Sequence, residues 1–334
     1  MRFGAVPLAR AEGAILAHSV RVGDLRMRKG VRLSADQVAQ MVEAGLNDVV
    51  VARLEPEDLH EDEAARVLAE ALVPDPGLAG LRVTQPFTGR VNLIAQTPGV
   101  VILDVAALEA FNAVHPMITI ATVPAFQQMS TGGMVATIKI ISYGVSARDV
   151  AMAAQAARDS IRMAPPVLRT AGLVITDIPG GPSNEKGQRA IEARVEALGM
   201  EMADLRVVPH EVDALAEALT ALGGDVALIL TGSATSDVED VAPMAVRAAG
   251  GDVDRFGMPV DPGNLLFLGR QGARPVIGLP GCARSPALNG ADWVLSRVVC
   301  GVAVSGADIA AMGVGGLLKE IPTRPQPRAG RKPV

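Results

Sequence analysis

The run Val226-Ala227-Leu228-Ile229-Leu230 contains no polar residue and opens directly into Thr231-Gly232-Ser233-Ala234-Thr235-Ser236-Asp237-Val238-Glu239-Asp240. An unbroken aliphatic run bounded by small and hydroxyl residues reads as a strand covered on both faces, as in the interior of a parallel sheet. Residues 241–249 follow with helical spacing, which makes a strand, loop and helix unit. The pattern repeats outward in both directions. Residues 172–176 read as a strand, and 188–198 as a helix with Ile191, Val195 and Leu198 on one side. A strand over 205–208 and a helix over 212–222 lead into the opening run. Downstream, 265–268 and 275–278 are short strands, and 287–302 is a long helix. Such alternation predicts an α/β fold, with a mainly parallel three-layer sheet and helices on both faces, over residues 166–320.

A mixed α+β and β-rich region precedes this domain. Residues 1–80 read as an N-terminal α+β segment. Ser34-Ala35-Asp36-Gln37 is a capping-box pattern, Val38, Met41 and Val42 follow at helical spacing, and Gly45 supplies the stop. A strand over 48–52 and a second helix from Glu61 to about Leu72 complete the segment, the acidic start suiting the helix dipole. Residues 81–165 form a β-rich module. Its strands at 91–94, 100–103, 117–123 and 134–141 are interrupted by one helix near 105–113. Residues 321–334 hold Pro322, Pro325, Pro327 and Pro333 among Arg324, Arg328, Arg331 and Lys332, the composition of a solvated, disordered basic tail.

Composition narrows the function classes. The 334 residues are 49% hydrophobic but only 2% aromatic, so the core must be built from aliphatic side chains. A net charge of −5 gives no general electrostatic case for nucleic acid. The apolar stretches are broken by charges before they reach membrane-spanning length, and the first residues lack a signal-peptide pattern, so a cytoplasmic protein with a reduced Cys282 and Cys300 is expected. Four scattered histidines and two cysteines make a poor zinc set, and His18, His60, His115 and His210 are each expected to be structural or superficial.

In an open parallel sheet, ligands bind outside the carboxyl ends of the strands. By that rule the loop 231–240 is the first candidate. Its short side chains let backbone amides approach an anion, hydroxyls add donors, and Asp240 lies where a carboxylate can hold magnesium. The plainer reading is a strand-to-helix turn with Ser236 or Asp237 as the cap. A second loop, Thr176-Asp177-Ile178-Pro179-Gly180-Gly181-Pro182-Ser183-Asn184-Glu185-Lys186-Gly187, places Asp177 just past a buried strand; it also reads as a plain surface loop. The third is Leu279-Pro280-Gly281-Cys282-Ala283-Arg284-Ser285-Pro286, where Gly281 and Ser285 suit a phosphate turn and Arg284 can meet an anion. Cys282 reads more simply as a small buried thiol than as a nucleophile.

These residues resemble the molybdenum cofactor biosynthesis family. Its molybdopterin-binding domain carries Thr-Gly-Gly-Thr-Gly, four residues, then Asp; here that stretch is Thr231-Gly232-Ser233-Ala234-Thr235, four residues and Asp240. Thr176-Asp177 with Lys186-Gly187 is similar to pieces of the adenylyltransferase branch, and Leu279-Pro280-Gly281 and Pro262-Gly263 to turns of the molybdotransferase branch. The segment 8–17, and Arg28-Lys29-Gly30 with Leu33-Ser34-Ala35, resemble the opening of molybdotransferases. The sequence departs from the pattern where Ser233 and Thr235 replace glycines, and where Cys282 and Ala283 replace Asn and Pro. The further C-terminal β-domain of molybdotransferases is expected to be missing, since little more than the proline-rich tail follows Leu318.

The resemblance implies a molybdopterin-binding protein that acts on molybdopterin or its adenylylated form, by adenylyl transfer or molybdate insertion. Thr231, Gly232, Ser233, Ala234, Thr235, Ser236, Pro280, Gly281 and Ser285 would hold the ligand. Asp240 and Asp177 would be the catalytic carboxylates, with Mg2+ on Asp240. A homo-oligomer is expected, with a molybdoenzyme or a cofactor-pathway protein as partner. Two alternatives stay open: a carrier or sensor that performs no chemistry, and a nucleotide pyrophosphatase similar to the competence-damage family.

Overall fold

A computed structural model describes residues 1–318. The expected tail, 321–334, lies outside the described residues. The chain forms two compact units: Met1–Thr97 with Val101–Met163, and Pro98–Val100 with the chain from Ala164 onward.

The first unit has two cores. In one, the helix Ala35–Glu43 is held at its start by the expected capping box, the Gln37 amide donating to Ser34 Oγ at 3.3 Å and the Ser34 amide to Gln37 Oε1 at 3.0 Å. It buries Met41 with Leu8, Leu16, Leu33 and Val51. The adjoining sheet places Asp48–Arg53 between Arg2–Pro7 and Ile15–Leu16, so Arg2–Pro7 is an edge strand.

In the other core, the helix Glu61–Leu72 packs Ala64, Leu68 and Leu72 against Leu93, Ile118 and Ile138 of a four-stranded sheet. That helix therefore shares its core with the β-rich residues 81–163. Its first residue, Glu61, is itself buried, and burial lifts its carboxyl above the ordinary value, against the pull of Lys139. A helix over Ala147–Ala156, beyond the one expected in this module, buries only Val150 and Ala153. Its alanine-rich sequence offers few large apolar side chains to mark the buried face.

The second unit is the expected α/β domain. Its elements are labelled β1 (Thr170–Asp177), α1 (Asn184–Ala197), β2 (Glu201–Pro209), α2 (Val212–Ala221), β3 (Val226–Leu230), α3 (Val241–Ala248), β4 (Asp252–Phe256), β5 (Phe267–Gln271), β6 (Arg274–Leu279), α4 (Gly290–Val299) and α5 (Gly306–Ala311). The six-stranded sheet runs β2-β1-β3-β6-β5-β4. Strands β2, β1, β3 and β6 are parallel, and β5 and β4 are antiparallel additions at one edge. Strand β4 has no counterpart in the expectation, because Asp252-Val253-Asp254-Arg255-Phe256 is charged on alternate positions, as an edge strand tolerates.

The strand alternation sorts the core into two layers. Leu173, Ile175, Leu228 and Ile277 face Ile191 and Val195 of α1 and Val294 and Leu295 of α4. Val174, Ala227, Ile229 and Val276 face Leu215 and Leu219 of α2 and Ala245 and Val246 of α3. Helices thus cover both faces.

The short stretch 98–100 also belongs to this unit. Its Gly99 lies so close to the Ala164 carbonyl that a Cβ there would sit 2.3 Å from the oxygen, and the Val100 backbone lies against the Cys300 thiol.

Candidate functional site

The strand order reverses between β1 and β3. After β1 the chain crosses by α1 to β2 on one side, then returns by α2 to β3 on the other. At such a reversal the loops leaving the two neighbouring strands part company and leave a crevice at their carboxyl ends. Register fixes which residues meet there. Ile175 pairs with Leu230, so Thr176-Asp177 and Thr231-Gly232 emerge side by side.

Thr176 joins these two loops. Its buried hydroxyl accepts the Gly232 amide at 2.9 Å and lies 2.8 Å from His210 Nδ1 at the end of β2. Gly232 is required at this approach, since a Cβ would come within 2.6 Å of the Thr176 carbonyl oxygen. His210 takes a structural part, as expected, by bracing the Thr176 hydroxyl that joins the two loops.

The loop 231–240 is organised from within. Thr231 Oγ donates to the Ser233 carbonyl at 2.6 Å and lies 3.3 Å from the Thr235 hydroxyl, both threonines being buried. The Ser236 hydroxyl reaches the Ala234 carbonyl at 3.4 Å. Threonine hydroxyls offered by the sequence as ligand donors are therefore spent on the loop's own shape. The amides of Ser233, Ala234 and Thr235 meet no acceptor among the described residues, and Ser233 and Ala234 are exposed.

Asp240 is the N-cap of α3, the position assigned on plainer grounds to Ser236 or Asp237. Its carboxylate accepts the Val241 amide at 2.7 Å on one oxygen and the Ser236 amide at 2.9 Å on the other. The cap falls later than expected because Asp237 instead closes a turn of its own, accepting the Glu239 amide at 2.9 Å. Asp177 is exposed and accepts a bond from Asn184 Nδ2 at 2.7 Å. Helix α1 begins at Asn184 with Ser183 as cap, so Lys186-Gly187 lies in the helix and not in the loop before it.

Two arginines fasten the third loop. Arg284 donates to the Ser183 carbonyl at 3.1 Å and the Thr231 carbonyl at 3.0 Å, linking all three loops. Burial lowers its pKa, and the nearby Asp177 charge pulls it back up. Gly187 makes room for it, a Cβ there falling 2.7 Å from Arg284 Nη1. Arg194, 9% exposed, donates to Asp292 at 2.7 Å and to the carbonyls of Ala190, Ala283, Ser285 and Ala287 at 2.8–3.1 Å. No local pattern signals this role, because an arginine in a polar helix reads as surface. Residues 281–284 form a 3₁₀ turn, Gly281 has open space above its Cα, and α4 starts only at Gly290 behind an Asn289–Asp292 capping box. Cys282 is half-buried, and burial raises its thiol pKa, opposite to what an activated nucleophile needs.

Residues 175–297 match the family described as "Probable molybdopterin binding domain". Over this segment the chain is similar to the molybdopterin-binding domains of molybdenum cofactor biosynthesis. The loops after β1, β3 and β6 all fall within the matched segment. Residues 5–53 match a second family, described as "Domain of unknown function (DUF8806)". No curated protein matches the chain. Among solved structures, the molybdopterin biosynthesis MoeA protein from Pyrococcus horikosii is similar at 12% identity and a TM-score of 0.31, over 90% of this chain and 75% of that one. A molybdenum cofactor biosynthesis protein from Pyrococcus furiosus is similar at 13% identity and a TM-score of 0.23, over 89% of this chain and 61% of that one. At these scores the likeness assigns nothing to individual residues. Among the described residues, no group of three or more His, Cys, Asp or Glu is arranged to hold a metal ion, and no helix is long and apolar enough to cross a membrane.

Proposed function

We propose that the second unit binds molybdopterin, or its nucleotide-activated form, in the crevice at the ends of β1 and β3, and that the chain is a transferase acting on that ligand in molybdenum cofactor biosynthesis. The observation that carries this reading is the row of neighbouring amides at Ser233, Ala234 and Thr235, none with an internal acceptor, inside a molybdopterin-binding domain. Consecutive outward amides form a concave donor set for a phosphate. Gly232 and Ser236 fix the ends of that row through Thr176 and Asp240. Pro280, Gly281 and Ser285 would form the opposite wall; Arg194 holds the Ser285 carbonyl at 2.8 Å and Arg284 ties their loop to the Thr231 carbonyl at 3.0 Å.

The donor set fits magnesium held mostly by the substrate. Each Asp240 oxygen accepts one amide and keeps lone-pair capacity, and Mg2+ is commonly bound through one or two carboxylates with phosphate oxygens and water completing the shell. When bound, the ion would neutralise phosphate charge during adenylyl transfer or molybdate insertion. Asp177, braced by Asn184, is the second carboxylate of the site.

A carrier without chemistry is the second reading. It is favoured by the engagement of both Asp240 oxygens in capping. Single-turnover assays with molybdopterin, ATP and magnesium, then with molybdate, separate the two. Adenylylated or molybdenum-loaded product supports the transferase, and saturable binding without product supports the carrier. Failure to bind molybdopterin at all refutes both. In Asp240→Asn we expect turnover to vanish with the fold intact; full activity there removes the metal role.

A further inference from the structure

We propose that the first unit carries a peptide-binding groove, in which an extended acidic segment of a partner protein adds as a strand beside Arg2–Pro7. The proposal concerns a different unit from the molybdopterin site and stands apart from it.

The strand Arg2–Pro7 pairs antiparallel with Asp48–Arg53 over its full length, from Arg2↔Arg53 to Pro7↔Asp48. It lies at the sheet edge, and no described strand pairs with its other side. In an antiparallel pair only alternate residues turn their amides and carbonyls to the partner, so the remaining groups face outward. Proteins usually protect such an edge with charge, proline or a bulge. Here the middle, Phe3-Gly4-Ala5-Val6, has none of these, and Phe3 is 57% exposed.

A groove of about 630 Å³ opens over this strand and its neighbour, lined by residues 2–6 together with Ala9, Arg10, Glu12, Val51 and Arg53. Its charge is distinctive in a chain of net −5, since Arg2, Arg10 and Arg53 face it against one carboxylate, Glu12. Arg2 is held by Glu55 at 2.6 Å, and Arg53 donates through Nη2 to the carbonyls of Arg10 and Glu12. The Arg10 guanidinium meets no acceptor among the described residues, so its donors remain for a ligand.

Charge selects the occupant. The chain's own residues 321–334 carry four basic residues and no acid, so they are repelled. A second copy paired edge to edge would set two arginine-lined grooves against each other. An extended segment with acidic side chains satisfies both features at once. Its backbone completes the strand edge, alternate carboxylates meet the arginines on the face of Arg2, and the apolar residues between them cover Phe3 on the opposite face. This is strand addition, in which main-chain bonds give affinity and alternate side chains give selectivity.

The test uses the full chain and a fluorescent octapeptide of alternating valine and glutamate. We expect saturable anisotropy, weakened at least tenfold in three controls: a valine–lysine octapeptide, the acidic peptide N-methylated at alternate amides, and Arg10→Glu with unchanged melting temperature. Binding should also weaken as salt rises. Absence of saturable binding overturns the proposal, as does binding that survives both N-methylation and Arg10→Glu. Binding that appears only after residues 319–334 are removed, or only on dissociating a dimer, would give the groove to the tail or to a second copy and equally overturn it.

Discussion

Replacing Arg194 by methionine should destabilise the second unit by about 3 kcal/mol, the lower end of the roughly 3–5 kcal/mol lost when one partner of a buried ion pair is removed. The lower end applies because the stranded Asp292 side chain keeps 15% exposure and the Asn289 amide at 2.8 Å. The Ala287 carbonyl keeps the Asn289 Nδ2 donor at 3.1 Å, whereas the carbonyl of buried Ala283 loses its arginine donor at 2.9 Å. For a unit of this size the loss corresponds to a fall in Tm of about 6–12 °C. The chain has a single tryptophan, Trp293, next to Asp292 and packed on the same core, so its fluorescence in urea follows this unit alone. The midpoint should fall with an unchanged slope. In a double-mutant cycle with Asp292→Asn, which keeps an acceptor for the Asn289 amide, the pair should show coupling of about 2 kcal/mol. A loss below about 1 kcal/mol, the scale of an exposed pair, would refute the assignment of Arg194 as the fastening of the third loop.

Gly232→Ala forces a Cβ to within 2.6 Å of a backbone oxygen, so the loop must shift; we expect about 1–3 kcal/mol of destabilisation and loss of molybdopterin binding, and normal affinity would contradict the geometry. Glu61 has a folded pKa raised by burial, so its contribution to stability is complete below its ordinary value of 4.5 and is lost as pH climbs through the raised value. Glu61→Gln should therefore melt above the parent chain at pH 7, with the gap closing toward pH 4; a gap independent of pH would exclude this origin. Burial pushes the Cys300 thiol up to about 11 and raises that of Cys282, so both should label slowly with a disulfide reagent at pH 8 in the native chain and quickly in urea. Rapid labelling of either thiol in the folded protein would contradict this.

The α/β domain was legible because its strands are unbroken aliphatic runs, and Val226–Leu230 was placed to the residue. The capping box at Ser34 was legible for the same reason: hydroxyl and amide at fixed spacing act locally. What the sequence concealed is tertiary. Thr176 reads as the polar end of a strand, and only pairing with β3 turns its hydroxyl onto Gly232. Arg194 and Arg284 reach loop partners 53 to 101 residues away, a distance no local pattern encodes. The loop threonines read as free donors because composition does not say which way a hydroxyl turns. Helix starts at Asn184 and Gly290 differed from the hydrophobic pattern, because caps and prolines set a boundary before periodicity becomes visible.

The small stretch 98–100 has a practical consequence for anyone cutting this protein apart. The second unit is discontinuous in sequence, since Gly99 sits against the Ala164 carbonyl and Val100 against Cys300. A fragment begun at residue 164 would leave that cover behind and bare the cysteine's surroundings to solvent. Its poor behaviour would then report a missing tripeptide and not an inability of the domain to fold, and supplying residues 98–100 on a short tether is the way to tell the two apart.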